Sequence, residues 1–284
     1  MKHFDRYYTS DDGLRLYCRD YPGPTADAPV LVCLPGLTRN SKDFAALAEA
    51  LSEHCRVLCP DMRGRGRSAR DPDPSRYRPD RYCADMLTLL DLLGIPRVGL
   101  IGTSLGGLMA MTLAALRPAL VGPVVLNDVG PELDPRGIDR IKAYLSQPQP
   151  PAAPEVVIAR LARINADVFP DYGPDDWRAL AMATCVIDGD LMTTDVDPAI
   201  AQNLVGGAEL PNLWPLFGLL AGRPVLVVRG ERSDVLSAAA VQRMAGRLPG
   251  MQTLEVPGRG HAPTLDEPQV REGLWAFLAQ AWAG

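Results

Sequence analysis

The sequence lacks an excess of basic residues, which argues against polyanionic binding partners. Its 284 residues include 29 Lys and Arg against 34 Asp and Glu, which gives a formal net charge of −5. A protein that binds a nucleic acid backbone or an anionic membrane needs a basic face, so we expect neither partner. The short basic cluster Arg63-Gly-Arg65-Gly-Arg67 lies in a glycine-rich stretch, and we interpret it as a solvated turn.

CxxC pairs and complete metal-ligand patterns are also missing. His54, Cys55 and Cys59 are near one another, but no fourth ligand stands at a zinc-like spacing. We therefore expect reduced core cysteines, no bound metal ion and no cofactor. The six cysteines are Cys18, Cys33, Cys55, Cys59, Cys83 and Cys185.

The N-terminal residues lack the apolar stretch of a secretory signal, so we expect a cytoplasmic location. Residues 98–116 carry no charge and are about long enough to span a bilayer. Glycines cluster in the first half of this segment, which is typical of a sharp turn rather than of a lipid-facing helix. We therefore predict a strand, a turn and a buried helix for this segment.

Short apolar runs alternate with helix-like stretches along most of the chain, which is typical of βα units on a mostly parallel sheet. Several of the runs, such as 30–34 and 225–228, are continuously apolar, as strands buried on both faces should be. The predicted strands span residues 14–18, 30–34, 56–59, 98–102, 124–126, 225–228 and 253–256. Apolar residues recur at three- and four-residue steps in the predicted helices, which span residues 43–51, 80–93, 105–116, 238–248 and 268–281.

This rhythm breaks between residues 131 and 220, where strand-like runs disappear and proline-rich joints separate helical patches. A chain of this length can form one large domain that carries an insertion. We therefore predict a core domain formed by residues 1–130 and 221–284, with a helical cap formed by residues 131–220.

The pattern Gly102-Thr103-Ser104-Leu105-Gly106 joins a predicted strand to a predicted helix. A serine at such a tight turn has an exposed hydroxyl at the edge of the sheet, and the flanking glycines allow a close approach of neighbouring chains. The helix N-terminus directs its free N–H groups to the same place, which favours developing negative charge. Ser104 is therefore the candidate nucleophile, with a purely structural turn as the alternative.

A serine hydroxyl needs a base to act as a nucleophile at neutral pH, and histidine has a suitable pKa. His3 lies near the N-terminus, and His54 precedes a strand at the end remote from the expected site. His261 follows the last predicted strand, in a loop that can reach the carboxyl edge of the sheet, where catalytic groups gather. We expect His261 to be the general base.

The base in turn needs a carboxylate that fixes its tautomer and stabilises the imidazolium. Asp234 follows the predicted strand 225–228 and emerges at the same edge of the sheet. The order Ser104, Asp234, His261 is also the one that accompanies this kind of serine turn. We predict Asp234 as the third member, with Asp128 after strand 124–126 as the main rival and Glu231 after strand 225–228 as a further one.

Attack on a carbonyl also requires hydrogen-bond donors for the oxyanion. The backbone N–H of Leu105, directly after the nucleophile, is the first candidate. The second is the N–H of Leu37 in Pro35-Gly36-Leu37, which follows the buried run 30–34. An ordinary turn is the alternative interpretation of this Pro-Gly pair.

These motifs together resemble the α/β-hydrolase superfamily, in particular its capped esterase, lactonase and C–C-hydrolase branch. The likeness also includes Asp61-Met-Arg63-Gly-Arg-Gly66-Arg-Ser68 and Gly260-His261. It implies the α/β-hydrolase fold, with a mostly parallel central sheet flanked by helices and a helical cap insertion. Many relatives have His-Gly where this chain has Pro35-Gly36, but the backbone donor is retained.

The resemblance implies a serine hydrolase that cleaves a small carboxylic ester or lactone through an acyl-enzyme. Cleavage of a C–C bond and acyl transfer on the same triad are alternatives, as is a receptor-like protein with little turnover. Epoxide and haloalkane hydrolysis are disfavoured, because those relatives attack with a carboxylate and position 104 is a serine. In the cap, Met182, Trp214 and Phe217 are candidates for the lining of the substrate pocket.

Overall fold

The chain forms an eight-stranded, mostly parallel sheet in the order β1-β2-β4-β3-β5-β6-β9-β10. The computed structural model describes residues 3–147, 149–205 and 212–283, so parts of the predicted core (1–2, 284) and cap (148, 206–211) lie outside the described residues. The first two strands pair antiparallel, β2 pairs antiparallel with β4, and the remaining pairs are parallel. The fold class predicted from the apolar runs is confirmed.

Each predicted strand has a counterpart in the sheet. The run 30–34 matches β3 at both ends, whereas the others extend by one to three residues at one or both ends. The N-terminal strand β1, which the sequence pattern did not indicate, forms the edge of the sheet. The strands of the main sheet are β1 (Phe4–Thr9), β2 (Arg15–Tyr21), β3 (Val30–Leu34), β4 (Arg56–Asp61), β5 (Val98–Thr103), β6 (Val121–Asn127), β9 (Val225–Gly230) and β10 (Gln252–Val256).

Helices cover both faces of the sheet, because side chains of a buried strand alternate between its two sides. In β3, Val32 and Leu34 join the apolar cluster under α2, α3 and α9, whereas Leu31 and Cys33 join the cluster under α1 and α10. The α-helices are α1 (Ala45–Leu51), α2 (Pro79–Leu92), α3 (Leu105–Leu116), α4 (Pro135–Leu145), α5 (Pro154–Asn165), α6 (Pro174–Thr184), α7 (Gln202–Val205), α8 (Trp214–Gly218), α9 (Ala238–Arg247) and α10 (Pro268–Ala283).

Residues 131–220 contain five helices, α4 to α8, among their described part. They also contain a two-stranded antiparallel sheet, formed by β7 (Cys185–Asp188) and β8 (Leu191–Thr194). The prediction that strands are absent from this segment is therefore wrong. Most residues of this hairpin are exposed, so it has no continuous apolar run that would have indicated a strand.

The basic cluster after β4 is not the solvated turn predicted from the sequence. The side chains of Arg63 and Arg65 are buried, and only Arg67 is exposed. Arg63 donates hydrogen bonds to the carboxylates of Asp85 and Asp71, at 2.6 Å and 2.5 Å. A buried charge requires such partners, and this network supplies them.

The uncharged segment 98–116 forms β5, a turn and the buried helix α3, as predicted. Within the described ranges, no helix combines the length and the apolar character that crossing a membrane requires.

Candidate active site

Ser104 stands at the turn between β5 and α3, where the backbone takes an unusual conformation. Its φ of 53° and ψ of −114° place a residue with a side chain in a strained region. The turn is held by the chain around it, since the Ser104 N–H donates to the carbonyl of Asn127 at 3.0 Å. The structure therefore places Ser104 at the carboxyl end of a central strand and directly before the first turn of α3.

The two glycines of the Gly102–Gly106 pattern allow the turn to pack closely. A Cβ on Gly106 would overlap the carbonyl oxygen of Leu34, and a Cβ on Gly102 would overlap the carbonyl oxygen of Gly106. Only glycine lets β3, β5 and α3 approach to these distances. The glycines thus position the serine through backbone packing.

His261 lies within hydrogen-bond distance of Ser104, as predicted. The distance between Nε2 of His261 and Oγ of Ser104 is 3.0 Å. The histidine follows β10 in a loop, and 8% of its side chain is exposed. An imidazole at this distance can accept the hydroxyl proton as the oxygen attacks a carbon centre.

The carboxylate next to His261 is Asp128, not Asp234. Oδ2 of Asp128 lies 2.8 Å from Nδ1 of His261, and the aspartate side chain is fully buried. Two further donors hold this carboxylate: the Gly230 N–H at 2.9 Å and the Ser233 hydroxyl at 2.6 Å. The prediction of Asp234 as the histidine's partner is therefore wrong, and the rival position is the one that the fold brings into contact.

The physical reason lies in where each strand ends. Asp128 follows the last residue of β6 directly and has a φ of 56°, which turns its side chain towards the neighbouring loop. Asp234 comes several residues after β9 has ended, in a loop that packs against α4. The sequence did contain a signal for Asp128, because this residue comes immediately after a fully buried strand. A residue at that position stays at the carboxyl edge of the sheet, where His261 lies.

Asp234 forms an ion pair with Arg140 of α4. Nε and Nη2 of Arg140 donate to its two carboxylate oxygens at 2.5 Å and 2.8 Å. Burial acts to raise the pKa of Asp234, but the guanidinium outweighs this effect and the pKa is lowered. Gly137 lets α4 approach this loop, because a Cβ there would overlap the carbonyl oxygen of Asp234.

The two residues predicted to donate to the oxyanion, Leu37 and Leu105, lie in the loop after β3 and at the start of α3. Leu105 is the first residue of α3, directly after Ser104. Leu37 lies in the loop after β3, and this loop borders the same cavity as Ser104. Nε of the buried Arg65 donates a hydrogen bond to the Leu37 carbonyl at 2.9 Å, and this bond holds the loop in place.

A cavity of about 180 Å³ opens beside Ser104 and His261. One wall comes from the predicted core, including Gly36, Leu37 and the 261–264 loop. The other comes from residues 131–220, whose apolar side chains include Ile141, Tyr144, Leu161 and Phe169. None of the three aromatic and methionine candidates from the sequence lines this cavity: Met182 is exposed, Trp214 borders a separate groove and Phe217 is buried in the core.

In the described part of the chain, one cluster of carboxylates is close enough together to hold a metal ion. The six cysteines are free and buried. Atoms of Asp11, Asp12 and Asp85 lie within 4.8 Å of one another, but arginines bind all three carboxylates. Arg81 pairs with Asp11, and Arg63 pairs with Asp12 and Asp85. This cluster is an ion-pair network.

Comparisons with known proteins agree with the fold. Residues 29–153 match the family model described as the alpha/beta hydrolase fold. The chain is 40% identical over 257 residues to a 3-hydroxybutyrate-oligomer hydrolase of Cupriavidus necator, with 87% of each protein covered. It is 29% identical over 245 residues to 2-(acetamidomethylene)succinate hydrolase of Mesorhizobium japonicum, covering 85% of this chain and 84% of that protein.

Among solved structures, an alpha/beta hydrolase from Novosphingobium aromaticivorans superposes with a TM-score of 0.93. The two chains are 44% identical, and the match covers 99% of each. With this coverage and identity, the likeness extends through the sheet, the serine turn and residues 131–220. The chain belongs to the α/β-hydrolase family.

Proposed function

We propose that this hydrolase is a serine esterase that cleaves a carboxylic ester or lactone through an acyl-enzyme. The hydrogen-bonded chain from Ser104 through His261 to Asp128 carries the proposal. A nucleophile, a base and a buried carboxylate in this geometry form the arrangement that activates a serine hydroxyl.

The chemistry follows from the roles of the three side chains. Oγ of Ser104 attacks the ester carbonyl while Nε2 of His261 takes the hydroxyl proton, and Asp128 stabilises the imidazolium. The tetrahedral intermediate then expels the alcohol, which receives that proton from His261. Water, activated by the same histidine, attacks the acyl-enzyme and releases the acid.

The oxyanion of both tetrahedral intermediates needs donors in the cavity. We assign the backbone N–H groups of Leu37 and Leu105 to this role, because one borders the cavity and the other follows Ser104 at the start of α3. Backbone donors of this kind are held by the fold and need no rearrangement when the charge develops.

The size of the cavity and the relatives favour a small substrate. A cavity of about 150 Å³ holds a molecule the size of benzene, and this one measures about 180 Å³. The relative from Cupriavidus necator is named for the hydrolysis of 3-hydroxybutyrate oligomers, which makes short hydroxy-acid esters the first substrates to test. Residues 131–220 would act as the cap over this cavity.

The test is the reaction of the protein with a fluorophosphonate probe, combined with turnover of p-nitrophenyl butyrate. We expect the probe to label Ser104 and the ester to be hydrolysed. Ser104→Ala should abolish labelling and lower kcat by about 10³-fold or more, since the residual activity would come from binding and the oxyanion donors alone.

Ser75→Ala is the matched control, because that serine lies in an exposed turn after Asp73. It should label and turn over like the unchanged protein. Labelling of Ser104 without turnover of any ester or lactone would favour C–C cleavage, acyl transfer or a receptor role. Full activity of Ser104→Ala would remove Ser104 from the mechanism.

A further inference from the structure

Two arginines border the cavity beside Ser104, although most of the cavity wall is apolar. Arg39 comes from the loop after β3 and Arg140 comes from α4. Asp43 is a third charged residue of this wall, whereas Asp234 and Asp128 are not part of it. Among the described lining residues, two cations therefore accompany one carboxylate, and each arginine also has N–H groups that its aspartate partner does not use.

Most N–H donors of the Arg39 guanidinium have no hydrogen-bond partner among the described residues. Its Nε donates to Oδ2 of Asp43 at 2.5 Å, and no hydrogen bond between described residues involves its Nη1 or Nη2. Only 27% of the side chain is exposed. Burial acts to lower the pKa of Arg39, but Asp43 and the phenols of Tyr144 and Tyr172 raise it, so the guanidinium stays charged.

Arg39 also lies close to the candidate nucleophile. An ideal Cβ built on Gly36 would lie 3.4 Å from Cγ of Arg39 and 3.9 Å from Cβ of Ser104. The stem of Arg39 therefore passes beside the loop that carries the proposed oxyanion donor. A group bound to its Nη atoms would be separated from the reacting carbonyl by only a few bonds.

Arg140 is held in a fixed orientation by Asp234. The two-point contact uses Nε and Nη2, and within the described chain Nη1 has no hydrogen-bond partner. The Asp234 carboxylate raises the pKa of Arg140, which keeps the guanidinium charged. Asp234, which does not contact His261, thus orients a cation at the cavity wall.

We propose that Arg39 and Arg140 bind a free carboxylate of the substrate, so that the preferred substrates are anionic esters of carboxylic or hydroxy acids. Partly buried guanidinium groups with unused N–H donors favour a carboxylate, since charge-assisted hydrogen bonds of this kind are short and strong. A neutral ester would leave those donors without a partner. This inference rests on the proposed esterase function and specifies its substrate class.

The test compares two substrates that differ in the charge of one end and by a single methyl group. One is p-nitrophenyl hydrogen glutarate, which carries a free carboxylate, and the other is its methyl ester, which is neutral. Both release p-nitrophenolate. Hydrogen bonds to a charged group contribute about 1.5–3 kcal/mol, so we expect kcat/KM to be about 10- to 100-fold higher for the anionic substrate.

Variants of the two arginines should reduce this preference. Arg39→Gln and Arg140→Gln remove one charge each while keeping amide donors, and each should lower the anionic-to-neutral ratio of kcat/KM towards unity. Arg136→Gln is the matched control on the same helix, because 80% of its side chain is exposed and its partner is Asp134. The control should keep the ratio of the unchanged protein.

The anionic-to-neutral ratio of kcat/KM in the unchanged protein tests the proposal even if a variant does not fold. A ratio of one or less would overturn the carboxylate proposal, while turnover of the neutral ester and labelling of Ser104 would leave the esterase function standing. A high ratio that persists in both glutamine variants would overturn the assignment to Arg39 and Arg140. Absence of labelling and of turnover of both esters would show that the esterase proposal itself had failed, and the carboxylate proposal with it.

Discussion

Asp128 and Asp234 carry the same functional group but have different surroundings. Asp128 is fully buried and contacts His261, Gly230 and Ser233. Asp234 is half-buried and contacts Arg140. The first environment suits a carboxylate that orients an imidazole, and the second suits a carboxylate that orients a cation.

Asn substitutions at these two positions should have unequal effects. We expect Asp128→Asn to lower kcat on p-nitrophenyl butyrate by about 10³- to 10⁴-fold, because an amide no longer fixes the productive histidine tautomer. Asp234→Asn should lower kcat far less, since it does not touch His261. Steady-state kinetics of the two purified variants measures the difference. A larger loss in Asp234→Asn would restore Asp234 as the functional partner of the histidine.

The serine turn between β5 and α3 depends on backbone contacts that leave no room for a side chain at its glycines. Gly106 lies in the first turn of α3 against the end of β3, and Gly246 lies in α9 with no atom within 4 Å of an added Cβ. The two glycines are both helical, but only the first is enclosed. An alanine substitution at Gly106 therefore tests close packing, whereas one at Gly246 tests helix propensity alone.

Alanine substitutions at these glycines should change stability in opposite directions. Gly106→Ala should lower the free energy of unfolding by about 3 kcal/mol or more, because a Cβ would force α3 away from β3. Gly246→Ala should raise it by about 0.5 kcal/mol through helix propensity. Urea denaturation measures both. A neutral effect of Gly106→Ala would mean that the turn can relax without cost.

Most of the predicted strands are buried on both faces, and the edge strand β10 is the exception. Residues 30–34 and 225–228 are continuous apolar runs, and this character indicates a central parallel strand. Phe4–Thr9 lies at the edge of the sheet, with a single buried residue, Tyr8, and was not predicted. The β7–β8 hairpin likewise exposes most of its side chains. Edge strands are stabilised by pairing with a neighbour, which a sequence pattern does not show.

At the scale of the whole molecule, Arg63 joins three separate parts of the core. Its guanidinium contacts Asp12 in the turn after β1, Asp71 in the loop after β4 and Asp85 in α2. The side chain of Arg63 is completely buried. Its removal would leave the buried carboxylates of Asp71 and Asp85 with only longer arginine contacts, to Arg76 at 4.0 Å and to Arg81 at 3.2 Å respectively.

Replacement of Arg63 should therefore reduce global stability. We expect Arg63→Met to lower the free energy of unfolding by about 3–5 kcal/mol, the usual cost of leaving a buried charge without its partner. The exposed Arg67, which pairs with Asp5, provides the control, and Arg67→Gln should change stability by less than about 1 kcal/mol. Equal unfolding midpoints in urea for the two variants would contradict the role given to Arg63.

The same network should contribute to acid sensitivity. The hydrogen bond from Arg63 keeps the pKa of Asp12 below its ordinary value in the folded protein. A carboxyl group with a lowered folded pKa contributes stability above its unfolded pKa of about 3.9, and this contribution is lost as the pH falls through the folded pKa. Asp12→Asn should therefore flatten the decline of the unfolding free energy below about pH 4. An unchanged slope in urea titrations at several pH values would exclude this contribution.

The amino-acid sequence by itself determined the sheet class, the positions of its central strands and the residues Ser104 and His261. These follow from local properties, namely continuous apolar runs, a glycine-flanked turn and the scarcity of histidines. The partner of His261 was decided only by the tertiary structure, because Asp128 and Asp234 both follow strands and their distances to the imidazole depend on how the loops pack. Burial of Arg63 and placement of Arg39 and Arg140 at one cavity have the same origin, since they depend on contacts between segments distant in the chain.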